Sequence, residues 1–241
     1  MALMALFFLR LLSLSLMTHF IQYKITYTLI VLNVIIYIVS AFSSQSLINM
    51  NVEVLVDMGA LYGPYVVLKS EWWRLFTAMF LHGGMTHLLM NMFSLYLIGR
   101  GAERYFSTMA YLGIYLFSGL LGGLASLYMH QGSVGVGASG AIFGVFGALA
   151  GFFLAHREQI ASHTKSFMKD FAVIIGINLV IGFSIESIDV SAHVGGLVVG
   201  FIGGYMVSKN SAWLWHYSIA MTLCMVAIMN YLPSQYAQGF F

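Results

Sequence analysis

Seven apolar runs, each close to the roughly 20 residues a helix needs to cross a bilayer, account for most of the 241-residue chain. Bounded by charge, glycine or proline, they fall at 22–42, 79–99, 108–129, 137–155, 170–186, 191–208 and 212–232. In hydrocarbon a backbone must satisfy its own hydrogen bonds, so runs of this length form helices and not open strands or loops. The chain is therefore expected to fold as an all-α, polytopic membrane helical bundle. Composition agrees: 7% of residues are charged, against roughly 25% in an ordinary soluble domain, and the mean hydropathy is +0.89. No solenoid repeat, low-complexity tract or soluble appendage interrupts the runs, and a net charge of +2 gives no reason to expect a nucleic-acid partner.

Residues 1–20, "MALMALFFLRLLSLSLMTHF", have the apolar look of a secretory signal, but Arg10 interrupts the run and no small-residue cleavage site follows. They read as a short N-terminal interfacial segment, with an unstructured start as the plain alternative. The single cysteine, Cys224, lies within an apolar run, so neither a disulfide framework nor a cysteine metal site can be built from this chain.

Charge on the connections orients the bundle. With a cytoplasmic amino terminus, that side receives Arg10, Lys24, Arg100, Arg104, Arg157, Lys165, Lys169 and Lys209, and the outer side only Lys69 and Arg74. The positive-inside rule selects this orientation and, with seven spans, puts the carboxyl terminus outside. The long outer connection at 43–78 carries Trp72, Trp73 and several tyrosines, which suit a segment lying in the membrane interface.

In that topology the second, fourth and sixth spans all begin at the outer face. Their outer ends carry His82, His87 and Asn91, then Ser139, then His193. Polar side chains at membrane depth are costly unless paired, so a cluster at one depth points to function. At about 100° per residue, Gly196, Gly200 and Gly204 run down the sixth helix beneath His193, and Gly140, Gly144, Gly147 and Gly151 form a second stripe on the fourth. Small residues at this spacing let helix backbones approach closely, which would bring Ser139 to His193 if these two helices pair.

A serine hydroxyl needs a neighbouring base to become a nucleophile, and His193 is the best one available. Asp189, one turn earlier, could orient the ring or be a solvated loop residue; the reading adopted is a Ser139–His193 dyad. Acyl transfer also needs donors for the developing oxyanion. His87 and Asn91, four residues apart, share a helix face and can both donate, and the backbone N–H of Ser139 at a helix start is a third donor. His82 is assigned to structural hydrogen bonding at the loop entrance. The plain alternative is that Ser139 is a helix-packing residue among glycines and the histidines are satisfied hydrogen-bonding groups.

Two other functions compete. A zinc site from His82, His87 and His193 has the right ligand type, but His-Glu-x-x-His is absent and no acidic residue accompanies the pair on the second span. A transporter, channel or inactive substrate-binding homologue would suit polar residues at mid-depth. Here the cluster lies near one face and both nucleophile and base are present.

The ordered set "WWR" at 72–74, "HGGMTHLLMN" at 82–91, "GRGAE" at 99–103, "GASG" at 137–140 and "AHVGGLVVG" at 192–200 resembles the rhomboid intramembrane serine proteases over roughly residues 20–208. The resemblance implies a six-helix protease core at 21–208 with Ser139 as nucleophile, His193 as base and His87 and Asn91 in the oxyanion site. Residues 209–241 would be an additional C-terminal transmembrane helix with a short tail. Arg74 would hold the outer loop and Glu103 the cytoplasmic end of the second helix. Phe143 stands where the family often has tyrosine; its ring can still pack on the catalytic imidazole. Gly137 would lead the chain tightly into the fourth helix, and Gly196 and Gly200 would allow close helix packing.

The expected reaction is cleavage of transmembrane or juxtamembrane segments of membrane proteins near the outer face, with no cofactor and no metal. The expected partners are transmembrane protein substrates and the lipid bilayer. The loop at 186–191 and the fifth helix are expected as movable covers over buried chemistry. The compact architecture suggests a bacterial inner membrane, and nothing in the sequence selects an oligomeric state.

Overall fold

The computed structural model describes residues 21–159, 169 and 189–239. Residues 1–20 and the fifth expected span at 170–186 lie outside the described residues. Within them, six long helices carry the architecture: α1 (Lys24–Ser44), α2 (Met85–Tyr105), α3 (Thr108–Met129), α4 (Ser139–Ala155), α5 (Val190–Lys209) and α6 (Trp213–Gly239). Four of these, α1, α3, α5 and most of α6, are long and apolar enough to cross a membrane, while α4 has only 17 residues. The chain is an integral, multi-pass helical membrane protein.

Three polar side chains of α1 bond to the backbone of the helix that carries them. In α1, Thr28 Oγ1, Asn33 Nδ2 and Ser40 Oγ donate to the carbonyls four residues back, at 2.6, 2.8 and 2.9 Å. The open amino end of α1 is closed by Glu103 from α2, whose carboxylate accepts from Ile25 N–H at 2.8 Å, Thr26 N–H at 3.0 Å and Thr26 Oγ1 at 2.7 Å. The first turn of a helix leaves N–H groups without intrahelical partners, and a carboxylate is their natural acceptor.

The second span begins at Met85 and not at 79 as its apolar run suggested. Ala78–Phe80 form one 3₁₀ turn, Leu81 is extended, and residues 83–85 pair with residues 48–50 instead: Met50 N–H donates to Gly83 at 3.0 Å and Met85 N–H to Ile48 at 3.0 Å. Two adjacent glycines weaken helix formation, and Gly84 lets the Ile48 carbonyl approach to within 2.5 Å of where a Cβ would stand. The connection between α1 and α2, the one expected outside, is a folded layer with a short helix at Val52–Asp57 and another at Arg74–Thr77. Its two-residue strand β1 (Leu61–Tyr62) pairs antiparallel with β2 (Val134–Gly135), a small exception to the all-α expectation. Arg74, buried, ties this layer together by donating to Glu71 at 2.6 Å, to the Ala60 carbonyl at 3.3 Å and to the Val56 carbonyl.

Helices α4 and α5 lie in backbone contact, with α3 packed against both. A Cβ added at Gly196 would strike the Gly140 carbonyl, one at Gly200 the Gly144 carbonyl and one at Gly204 the Ala148 carbonyl. From the other side, Gly147 and Gly151 admit the carbonyls of Leu197 and Phe201. The two glycine stripes thus face each other along the helices' length. Helix α6 docks at its ends: Tyr217 is fully buried beneath Gly203, and Tyr236 Oη donates to the Leu127 carbonyl at 2.9 Å. Its sequence suggested a stop at 232, but the helix runs through Pro233, and the Tyr236 anchor lies beyond that proline.

Candidate active site

At 1.5 Å per residue α4 is about 26 Å long, short of a hydrocarbon core about 30 Å thick. At its Ser139 end the chain enters by a non-helical loop held inside the protein: β2 pairs with β1 and Gly137 N–H donates to the Ala78 carbonyl at 2.9 Å. Gly137 has φ +122°, a left-handed conformation that favours glycine, and it makes the turn into α4.

Ser139 is the first residue of α4, and its Oγ lies 2.8 Å from Nε2 of His193, in the first turn of α5. The glycine contacts described above produce this meeting, since a side chain between the helices would part them. His193 is 8% exposed, and Phe143, one turn after Ser139, stacks on its ring at 4.3 Å with a 10° interplanar angle. The imidazole is thereby fixed on one face by an aromatic and at one edge by the serine. Its Nδ1 is buried with no hydrogen-bond partner among the described residues. For Ser139 to donate to Nε2, the neutral ring must carry its proton on Nδ1.

His87 and Asn91 both face the loop that precedes Ser139. A Cβ at Gly137 would stand 2.8 Å from His87 Nε2 and 3.7 Å from Asn91 Nδ2. Asn91 Nδ2 also donates to the His87 carbonyl at 3.1 Å, which fixes its amide orientation. With the unpaired N–H groups at the start of α4, these side chains make a set of donors on one side of the serine.

His82 precedes α2, which begins at Met85, and does not lie on that helix with His87 and Asn91. It is fully buried and meets the His87 ring edge-on at 5.1 Å, and neither of its ring nitrogens reaches a hydrogen-bond partner among the described residues. Asp189 neither contacts the His193 ring through a hydrogen bond nor sits free in a loop: it is the N-cap of α5, accepting from Ala192 N–H at 3.1 Å. An aspartate three residues before Ala192 at the start of an apolar run is a readable helix-start signal. The Gly137–Ala78 tether and the His82–His87 contact have no such signal, because both join residues far apart or in irregular backbone. The expected covers at 186–191 and in the fifth helix fall almost wholly outside the described residues.

Fold and site together define a class: a helical membrane protein with a serine–histidine pair where two of its helices begin, beside a group of hydrogen-bond donors. The Rhomboid domain family model matches residues 69–210, more than half of the chain, and the protein belongs to the rhomboid family. It is similar to rhomboid protease GluP of Bacillus subtilis (strain 168), 37% identical over 176 residues covering 73% of this chain and 33% of that protein. RHOMBOID-like protein 6, mitochondrial, of Arabidopsis thaliana is 40% identical over 161 residues, 66% of this chain and 52% of that one. RHOMBOID-like protein 7 of the same plant is 34% identical over 175 residues, 73% and 55% of the two chains. The chain thus spans between a third and just over half of the length of these relatives.

Proposed function

We propose that the protein is an intramembrane serine endopeptidase that cleaves transmembrane or juxtamembrane segments of membrane proteins near the outer face. The observation that carries this reading is the 2.8 Å contact between Ser139 Oγ and His193 Nε2 at the start of α4. A serine and a base in hydrogen-bond contact are the elements of nucleophilic acyl transfer.

In this reading Ser139 Oγ attacks the scissile carbonyl carbon while its proton passes to His193 Nε2. The oxyanion is received by the Ser139 N–H, His87 and Asn91. His193 then gives its proton to the leaving amide nitrogen, the C–N bond breaks, and the acyl group stays on Ser139. A water deprotonated by His193 attacks that ester, and the proton returns to Ser139 Oγ as the new carboxyl end departs. Phe143 holds the imidazole plane through both halves. A substrate amide must leave its helix to be attacked, because a helical carbonyl is already hydrogen-bonded and sterically covered. Substrates with helix-breaking residues at the cleavage point therefore fit best.

The zinc reading is disfavoured by the same contact, since the His193 nitrogen facing the site is already engaged by Ser139. We assign residues 21–208 to the protease core, 209–241 to an additional C-terminal helix and tail, and 1–20 to an interfacial segment. Charge asymmetry supports a cytoplasmic amino terminus, and a bacterial inner membrane is the setting we propose. The test is reconstitution with a single-span model substrate. The parent protein cleaves it and Ser139→Ala and His193→Ala do not; full cleavage by either variant would rule the dyad out.

A further inference from the structure

Asp189 has no part in the steps above, yet the first turn of α5 is built on it. Its Oδ1 accepts from Ala192 N–H at 3.1 Å and from the Ser191 hydroxyl at 2.5 Å, and its backbone carbonyl accepts from His193 N–H at 3.3 Å. The same carboxylate oxygen lies 3.9 Å from Nε2 of His130, just past the end of α3. Burial alone would raise this carboxyl, but hydrogen bonds from Ser126, Ser191 and Ala192 and the nearby His130 hold it below its ordinary value. It is an anion at neutral pH.

That charge matters to His193. The unpaired N–H groups of a helix start sum to roughly half a positive charge, and His193 sits in this turn. Their field opposes the positive charge the imidazole acquires when it takes the Ser139 proton. Little else offsets it: from α4 the ring meets neutral Ser139 and Phe143, from α2 His87 stands beside Gly137 just before Ser139, and His130 faces Asp189. From α3, Gly122 abuts Ala192 and brings no charged group. Asp189 stands one turn before His193 on the same helix, and its backbone carbonyl holds the His193 N–H, so its carboxylate is the anion set at the base of this turn.

We propose that Asp189 is a positioning residue for the Ser139–His193 reaction: an anionic cap that fixes the first turn of α5 and stabilises, through space, the imidazolium that forms on His193. The carboxylate takes no proton and makes no bond to the ring. This rests on the peptidase reading given above. Capping and charge can be separated, because asparagine caps a helix as well as aspartate does but carries no charge.

The experiment compares the full chain with Asp189→Asn, Asp189→Glu and Asp189→Ala, using two readouts. The first is NMR titration of histidine-labelled protein in detergent, with the His193 signal assigned by its loss in His193→Gln; it needs no turnover. In Asp189→Asn the His193 midpoint falls by about one pH unit while the melting temperature falls less than in Asp189→Ala, since the cap is kept and only the charge is lost. The second is cleavage of the reconstituted model substrate. There Asp189→Asn lowers kcat up to about tenfold with KM unchanged, moves the acid limb of kcat/KM to lower pH, and Asp189→Glu restores part of both. An unchanged midpoint and kcat in Asp189→Asn, with losses confined to Asp189→Ala and matched by a lower melting temperature, would overturn the proposal and leave Asp189 a plain helix cap. A shifted midpoint in a parent protein that cleaves nothing would keep the charge coupling and sink the peptidase reading instead.

Discussion

Ser139 and His193 lie 54 positions apart and meet through residues that have no side chains. Each polar group around them is held from a different element, so single substitutions separate their roles. Asn91→Ala removes one oxyanion donor and leaves the Ser139 N–H and His87 in place. It is expected to lower kcat by about 10² with little change in melting temperature, measured on the reconstituted substrate. Phe143→Ala frees one face of the imidazole; an aromatic contact is worth about 0.5–1.5 kcal/mol, so a loss of about two- to tenfold in kcat is expected, with Phe143→Tyr close to the parent. Ser139, His193, His87 and Asn91 were readable as polar residue types at matching depths on three spans, and Phe143 entered only through the family resemblance. His82 was misplaced because its position depends on where α2 starts, and that is decided by the backbone pairing of 83–85 with 48–50, which no hydropathy pattern encodes.

Among the elements, the pairing of α4 with α5 has the most consequence. Glycines at 196, 200 and 204 admit the carbonyls of the facing helix, so any Cβ there must push the backbones apart. Gly200→Ala is expected to cost about 1–3 kcal/mol by overpacking and to lower melting temperature and activity together, since separating the helices draws His193 from Ser139. Gly132→Ala, where a Cβ would meet nothing within 4 Å, is the matched control and changes neither. Glu103 shows a different dependence. Removing it by Glu103→Ala leaves the first N–H groups of α1 without their acceptor, and a loss of about 1–2 kcal/mol in stability is expected in a detergent melt, with kcat unaffected once folded. Helix existence was legible from apolar run length, and Thr108–Met129 matches its run end for end. Ends set by tertiary contacts were not: α2 starts late because the layer before it claims its first residues, and α6 continues past Pro233 to where Tyr236 docks on α3.

At the scale of the whole molecule, the bundle is organised around one short helix whose entry loop is tied by β2 to β1 in the connection between α1 and α2. Cation asymmetry gives that arrangement a direction, and it can be read in cells. In a Cys224→Ala background, Lys69→Cys is expected to react with a membrane-impermeant maleimide on intact cells, and Asn210→Cys only after permeabilisation; the reverse pattern would invert the orientation. The identity of the active nucleophile is tested most directly by a fluorophosphonate probe followed by mass mapping of the adduct. A single adduct on Ser139 that is lost in His193→Ala is the predicted result. Labelling at any other residue, or undiminished labelling of Ser139 without His193, would contradict it.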